Sequence, residues 1–260
     1  MQLLLAGIVP ALLLTVFLMI QVAIVARTKS LPRDDIAARP ADIAKKAVIS
    51  FPALLAPILL ITGLMSGYFG PTEVAGVTVA YATLIGIFIY RSLTLRGFIT
   101  ALRETTTATA NILFVVATAA LFAWVLTLDQ VPMKVSGLLL GLSDNPLVLL
   151  LLVNVLLLVV GMILESIAAI LIIAPIVAPA LTMVGVGPLQ LGIVFVLNLM
   201  IGLLTPPVGM SLYMITIITK MPITRVIAGV IPFFLPLLLS LLVVTAIPAL
   251  STWLPNTLMK

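Results

Sequence analysis

The sequence predicts an all-α protein that crosses a membrane several times. Hydrophobic residues make up 63% of the 260 residues, whereas charged residues make up only 8%. The mean hydropathy is +1.39. Most apolar residues fall in runs of about 20, which is the length that a helix needs to cross a bilayer. The chain is therefore better divided into spanning segments than into soluble domains.

Seven apolar segments predict the helical elements, and short polar connectors separate them. In chain order they are 3–25, 47–68, 74–90, 108–128, 147–184, 189–218 and 226–247. The first segment has no basic leader and no small-residue cleavage site, so we expect it to remain as a membrane helix. In the connector before the third segment, the string PTE at 71–73 is typical of a helix start, which favours a structural role for Glu73.

The basic residues predict how these segments are oriented. Eleven of the thirteen Lys and Arg lie in the stretches 27–46, 91–105 and 220–225. Because cytoplasmic loops carry an excess of Lys and Arg, we expect these three stretches in the cytoplasm and residues 129–145 in the periplasm. The net charge of +5 therefore reflects membrane orientation. A nucleic-acid surface is not indicated, because no aromatic residue that could stack on a base lies among the basic residues of 27–46.

This orientation requires segment 147–184 to enter and leave on the periplasmic side. It must double back, either as a re-entrant hairpin whose tip stops near the midplane or as two full spans. The turn at 161–166 carries Glu165 and no basic residue, which is unusual for a cytoplasmic loop. The sequence therefore favours the hairpin.

Two short strings, GMILESIAAILIIAP at 161–175 and IGLLTPPVGM at 201–210, interrupt long apolar runs with charged or helix-breaking residues. A broken helix at membrane depth is tolerated only where it is buried in protein or lines a cavity, because hydrocarbon cannot pair its backbone groups. Paired breaks of this kind are typical of the ion and substrate sites of transporters. The sequence therefore predicts one binding site that both breaks form.

The second break contains two adjacent prolines. Pro206 and Pro207 remove two amide donors, and the first also pushes Thr205 out of helical geometry. We therefore expect the carbonyl groups of residues 202–205 to be free for a cation. The hydroxyl of Thr205 offers one more oxygen, the kind of ligand that hard cations prefer, although it could instead satisfy a local carbonyl.

Enzymatic chemistry is not indicated. The chain has no cysteine and no histidine, so thiolate chemistry, disulfides and the commonest metal ligand and proton relay are missing. A hydrolase inside the membrane needs a nucleophile and a base at one depth, and the acids of the apolar segments lie far apart in sequence. We therefore expect no enzyme activity and no cofactor other than a coupling ion.

Four strings resemble the signatures of one family. They are YFGPTEVA at 68–75, GMILES at 161–166, GIVFVLNLMIGLLTPPVGMSLY at 192–213 and WLP at 253–255. Together they resemble the C-terminal part of the large membrane subunit of the tripartite ATP-independent periplasmic transporters, and the likeness covers essentially the whole chain. Gly70 and Val74 depart from it, because the family usually has threonine and alanine at these positions.

The resemblance implies the second half of an inverted-repeat elevator transporter in the bacterial inner membrane, with a re-entrant hairpin and a broken transmembrane helix. It implies sodium-coupled uptake of a small organic anion such as a C4-dicarboxylate or sialic acid. The expected partners are a periplasmic substrate-binding protein, a small membrane subunit and the missing N-terminal repeat. We accordingly expect a fragment, a split gene product or an internal start. Two alternatives stay open, an ion-coupled dicarboxylate symporter without a binding protein and a membrane scaffold that transports nothing.

The expected site combines both breaks. An acid such as Glu165 is costly inside a membrane and marks an ion or substrate path, although it could instead cap the helix that begins near Ser166. The positive end of that helix also suits an anion. The predicted ion- and substrate-binding residues are Gly161, Glu165, Ser166, Gly202, Thr205, Pro206, Pro207, Val208 and Gly209, with Thr205 as a sodium ligand.

We expect four parts along the chain. They are a first transmembrane helix with its basic cytoplasmic connector (1–46), scaffold-type helices with interfacial connectors (47–145), a transport-type segment (146–219) and a final transmembrane helix (220–260). Segments 3–25 and 47–90 are expected to contribute to a scaffold, and 96–104 to form an interfacial helix. Asn154 and Asn198 are expected to form hydrogen bonds between helices.

Overall fold

A computed structural model describes residues 2–28 and 40–258, and all of the regular structure in these two ranges is helical. The helices are α1 (Gln2–Thr28), α2 (Pro40–Met65), α3 (Pro71–Leu84), α4 (Leu95–Leu128), α5 (Val131–Leu142), α6 (Pro146–Gly161), α7 (Ser166–Met183), α8 (Pro188–Gly202), α9 (Met210–Thr219), α10 (Ile223–Ala246) and α11 (Ala249–Leu258). A π-helical turn, Ile85–Ile89, continues α3. Six helical segments in the described ranges are long and apolar enough to cross a membrane. The predicted all-α, multi-pass class is confirmed.

The described chain forms two compact units, and the division falls within α4. The first unit contains α2, α3, the π-helical turn and the part of α4 up to Asn111. The second unit contains α1, the rest of α4 and all of the helices from α5 to α11. Most of the predicted basic connector, residues 29–39, lies outside the described residues.

In the first unit, α2 packs against α3. Two tyrosines form hydrogen bonds with the backbone of α2 at and around Pro52. The hydroxyl of Tyr81 donates to the carbonyl oxygen of Pro52 at 2.7 Å. The hydroxyl of Tyr90 donates to the carbonyl of Ile49 at 2.8 Å and accepts from the amide of Ala53 at 3.3 Å. The Tyr90 hydroxyl therefore lies between the amide of Ala53 and the carbonyl of Ile49, two groups that would bond to each other directly in a regular helix.

Helix α3 begins in the way that the PTE string predicts. A carboxylate oxygen of Glu73 accepts from the amide of Gly70 at 2.9 Å. Pro71 is the first helical residue, a position where its missing N–H costs nothing. The structural role expected for Glu73 is therefore seen.

The second unit has one main core, formed where α6, α7 and α8 meet. Its largest fully buried side chains include Leu149, Leu157, Leu181, Val194 and Leu199. They lie on helices that are apolar on most sides and carry only a few polar residues, as expected for helices buried in a membrane protein. This core sets the positions of both predicted breaks, because α6 and α7 flank the first break and α8 leads into the second.

Helix α1 packs against α8, α10 and α11. A Cβ on Gly192, near the start of α8, would lie 2.7 Å from Cδ1 of Leu3, so α1 and α8 begin side by side. The side chain of Gln190 on α8 donates to the carbonyl of Thr245 at 2.9 Å, so α10 ends where α8 begins. These directions agree with the orientation that the basic residues predict.

Two features differ from the sequence predictions. Residues 96–104 do not form a separate interfacial helix but belong to the 34-residue helix α4, because no proline lies between its ends. The helices α5 and α11 were not predicted, because each is short and lies next to a connector or the chain end. The scaffold role of segment 3–25, which lies in α1, stays a prediction. The four-part division of the chain stays a prediction.

Candidate functional site

Both helix breaks occur where the sequence places them. Helix α6 ends at Gly161 and α7 begins at Ser166, whereas α8 ends at Gly202 and α9 begins at Met210. Helices α6 and α7 pack against each other, so the chain doubles back as predicted. The 16 residues of α6 extend only ~24 Å, against ~30 Å of hydrocarbon. This length favours the re-entrant hairpin over two full spans, and the hairpin stays a prediction.

The two breaks touch through backbone atoms. A Cβ on Gly202 would lie 2.7 Å from both Cα and the carbonyl carbon of Gly161, and one on Gly161 would lie 3.2 Å from Cα of Gly202. No side chain fits between these two helix ends. In addition, the amide of Gly209 donates to the carbonyl of Met162 at 3.2 Å, so a hydrogen bond also links the turn of the hairpin to the second break.

Inside the second break, two of the four carbonyls expected to be free are already bonded. The carbonyl of Gly202 accepts from the amide of Thr205 at 2.8 Å, and that of Leu203 accepts from the amide of Ser211 at 3.1 Å. The prediction is wrong for these two because the chain turns tightly after α8 and brings later amides back to its end. The carbonyls of Leu204 and Thr205 accept no hydrogen bond from the described part of the chain.

Thr205 itself is half-buried, and its hydroxyl donates to the carbonyl of Ile201 at 2.7 Å. This is the local bond that the sequence left open as an alternative. A hydroxyl that donates one bond keeps its lone pairs, so the oxygen can still accept a cation. Its role as a sodium ligand stays a prediction.

Gly209, the residue directly before α9, has a positive φ of 49°, and a Cβ there would lie 2.9 Å from the carbonyl oxygen of Thr205. Glycine is therefore required by both conformation and space. Pro206 is half-buried, while Pro207 and Val208 are exposed, and the peptide bond between the two prolines is cis.

Glu165 caps α7. One of its carboxylate oxygens accepts from the amides of Ile167 at 2.9 Å and Ala168 at 3.2 Å. A negative charge at this end also interacts favourably with the helix dipole. The capping role that the sequence left as an alternative is therefore seen, and a role in the ion or substrate path stays a prediction. Ser166, the next residue, is 6% exposed, and its hydroxyl has no partner within the described ranges.

Glu165 also lines an open groove of about 650 Å³ along α9. Apart from this carboxylate, the lining is mostly apolar, with Leu203, Met210, Ser211, Tyr213, Met214, Ile215 and Ile218. The groove therefore brings one residue from the hairpin turn together with both helix ends of the second break. These are the two parts that the sequence predicted to share one site.

Asn154 and Asn198 form the interhelical hydrogen bond that the sequence predicted. The side-chain amide of Asn198 on α8 donates to the side-chain oxygen of Asn154 on α6 at 2.9 Å. The amide of Asn154 in turn donates to the hydroxyl of Thr245 on α10 at 2.8 Å. Thr245 and Gln190 were not predicted as members of this network. Their polarity within long apolar runs was the available indication, because buried polar side chains need partners.

The chain is similar to one protein family over almost its whole length. The family model described as "Tripartite ATP-independent periplasmic transporter, DctM component" matches residues 1–250. This model agrees with the resemblance that the four sequence strings carry.

Individual relatives show the same similarity. The large permease protein SiaM of a sialic acid TRAP transporter from Vibrio cholerae is 38% identical over 252 residues, which are 97% of this chain and 59% of the relative. The C4-dicarboxylate TRAP transporter large permease protein DctM from Pseudomonas aeruginosa is 39% identical over 264 residues, 99% of this chain and 60% of the relative. The 2,3-diketo-L-gulonate TRAP transporter large permease protein YiaN from Escherichia coli is 34% identical over 249 residues, 96% and 58% of the two chains. The chain therefore spans about three fifths of the length of these relatives.

Proposed function

Because the chain belongs to the DctM family of tripartite ATP-independent periplasmic transporters, we propose that it supplies the C-terminal part of a large permease that takes up a small organic anion together with sodium. It is a multi-pass protein of the bacterial inner membrane and not an enzyme. The observation that carries the proposal is the contact between the two helix breaks, at Gly161 and Gly202.

The proposed substrate class is a carboxylate. The relatives are named for sialic acid, C4-dicarboxylates and 2,3-diketo-L-gulonate, all of which carry a carboxylate group. The buried hydroxyl of Ser166, at the start of α7, supports this class, because it has no partner within the described residues and can donate to an anion. The proposed partners are a periplasmic substrate-binding protein, a small membrane subunit and an N-terminal repeat that completes the site.

Sodium is proposed to bind at the second break, with Thr205 among its ligands. The carbonyls of Leu204 and Thr205 support this, because they have no donor in the described chain and oxygen is the ligand that hard cations take. A bound cation offsets the charge of the anion and of Glu165, which caps the neighbouring helix. The loaded unit then moves against a scaffold, and no covalent chemistry is required.

The test uses the complete transporter, with this chain and its partners reconstituted in liposomes. Replacing Thr205→Val keeps the shape of the side chain and removes one oxygen. We expect the sodium concentration for half-maximal uptake to rise about tenfold, with little change in protein abundance. The matched control is Thr216→Val on α9, whose hydroxyl also donates to a carbonyl of its own helix, at 2.8 Å from that of Leu212.

An equal shift in both variants would show that the local hydroxyl–carbonyl bond, and not a sodium ligand, is responsible. Unchanged sodium dependence in Thr205→Val, together with its loss in Glu165→Gln, would instead assign the coupling to the carboxylate.

A further inference from the structure

A buried polar network crosses the second unit and joins three helices. Its side chains are Gln190 and Asn198 on α8, Asn154 on α6 and Thr245 on α10, and none is more than 3% exposed. Buried polar groups in an apolar bundle need partners, so each bond of the network constrains the helices that it joins. Within the described residues, Oδ1 of Asn198 has no partner, and the network is held by the donors of this side chain.

Three hydrogen bonds of this network form a series that runs from α8 through α6 to α10. Asn198 donates to Asn154 at 2.9 Å, Asn154 donates to Thr245 at 2.8 Å, and Thr245 donates to the carbonyl of Leu241 at 2.8 Å. Asn198 also donates to the carbonyl of Val194 at 2.8 Å. A backbone carbonyl can only accept, so both ends of the series are fixed and the amide groups between them cannot turn over without losing bonds.

The network lies close to the contact between the two helix breaks. Asn154 precedes Gly161 by two turns of α6, ~10 Å along its axis, and Asn198 precedes Gly202 by about one turn of α8, ~6 Å. Helices α6 and α8 are therefore joined at two levels, by side-chain hydrogen bonds and then by backbone contact at the glycines. Two such points fix how far one helix can slide along the other.

We propose that Asn154, Asn198 and Thr245 are positioning residues that hold the hairpin turn and the second helix break at the same height, that is, at the same position along the axes of α6 and α8. The proposal rests on the proposed function, in which both breaks contribute to one ion and substrate site. Their relative height therefore affects how well ligands from both breaks fit the ion. A slip by one residue moves a helix by 1.5 Å, whereas ligand distances in cation sites hold to about 0.2 Å. None of the three side chains is required to touch the ion.

The test compares four variants in the complete transporter. Thr245→Val removes the hydroxyl at nearly constant shape, and Asn154→Leu removes the link to both other helices. Thr245→Ser restores the hydroxyl. The control is Thr252→Val, whose hydroxyl donates only to the nearby carbonyl of Pro248 at 3.0 Å.

The first measurement is uptake against sodium concentration. We expect half-saturating sodium to rise about tenfold in Thr245→Val and more in Asn154→Leu, because the loss of a supporting residue typically lowers metal affinity by about 10- to 100-fold. The rate at saturating sodium should be largely kept. Thr245→Ser and Thr252→Val should match the unmodified chain.

The second measurement follows the spacing of the two breaks without using transport. Met162→Cys and Val208→Cys are introduced together, because the amide of Gly209 bonds to the carbonyl of Met162 and this chain has no cysteine of its own. Oxidation should cross-link the pair, since a disulfide requires Cα atoms within about 7 Å. We expect Thr245→Val to lower the rate of cross-linking and Thr245→Ser to restore it.

The positioning proposal is overturned if Thr245→Val and Asn154→Leu reduce only the amount of protein and leave both half-saturating sodium and cross-linking unchanged. A complete transporter that shows no sodium dependence would overturn the proposed function instead. In that case the cross-linking rates still decide whether the network sets the height of the breaks.

Discussion

Gly202 shows how a single residue can determine the geometry of the site. A Cβ at this position would lie 2.7 Å from backbone atoms of Gly161, which cannot rotate away as a side chain could. The two helix ends therefore approach each other as closely as backbones can. Gly209 is constrained in a similar way by its positive φ and by the carbonyl of Thr205.

Replacing Gly202→Ala should separate the ends of α6 and α8. We expect a loss of about 1–3 kcal/mol in stability, as for other overpacked sites, and a fall in uptake that exceeds the fall in protein abundance. The measurement is uptake by the complete transporter, normalised to the amount of protein in the membrane.

The matched control is Gly141→Ala on α5, where a Cβ would have no neighbour within 4 Å. Equal uptake by both variants would show that the close approach of the two breaks is not needed for transport.

At the scale of single elements, the sequence predicted the long helices and both breaks, because apolar runs and prolines have a strong local effect on structure. It failed where tertiary contacts decide. The carbonyls of Gly202 and Leu203 looked free in sequence, yet amides three and eight residues later return to them. Helices α5 and α11 were missed because each is short and lies next to a connector or the chain end, although α5 packs on α7 and α11 packs on α1 and α8.

The orientation of the elements is tested by labelling. We expect Ser92→Cys, between the first unit's π-helical turn and α4, to react only from the cytoplasm, and Ser143→Cys, between α5 and α6, only from the periplasm. The physical reason is the concentration of Lys and Arg around residue 92. Membrane-impermeant thiol reagents applied to cells and to inverted vesicles distinguish the two sides. Labelling of both positions from one side would contradict the predicted topology.

At the scale of the whole molecule, the second unit brings both breaks together, yet the groove beside Glu165 is open along α9. The chain covers about three fifths of its relatives, including 59% of the Vibrio cholerae sialic acid permease. The sequence predicted this relationship from four strings, because their residue order is specific to one family. The anion carried does not follow from these strings, since relatives named for different anions match the same chain.

The chain by itself is expected to insert into membranes but not to transport. The proposed site is completed by a second repeat, so this chain alone is expected to offer an anion too few ligands and to leave it exposed to lipid or water. The measurement is uptake by liposomes that contain only this chain, with an imposed sodium gradient, compared with liposomes that contain the complete transporter. Uptake by the chain alone would disprove the need for a second repeat.

Helix α4 is longer than a bilayer requires, and the zone next to its charged end suits the boundary between headgroups and acyl chains. Its 34 residues extend ~51 Å, about 20 Å more than the hydrocarbon core. Near its charged end, the hydroxyls of Thr105, Thr106 and Thr107 donate to carbonyls four residues earlier, at 2.7 to 3.0 Å. Because these hydroxyls are satisfied by their own helix, they leave no unpaired donor at whichever depth the lipid boundary meets this zone.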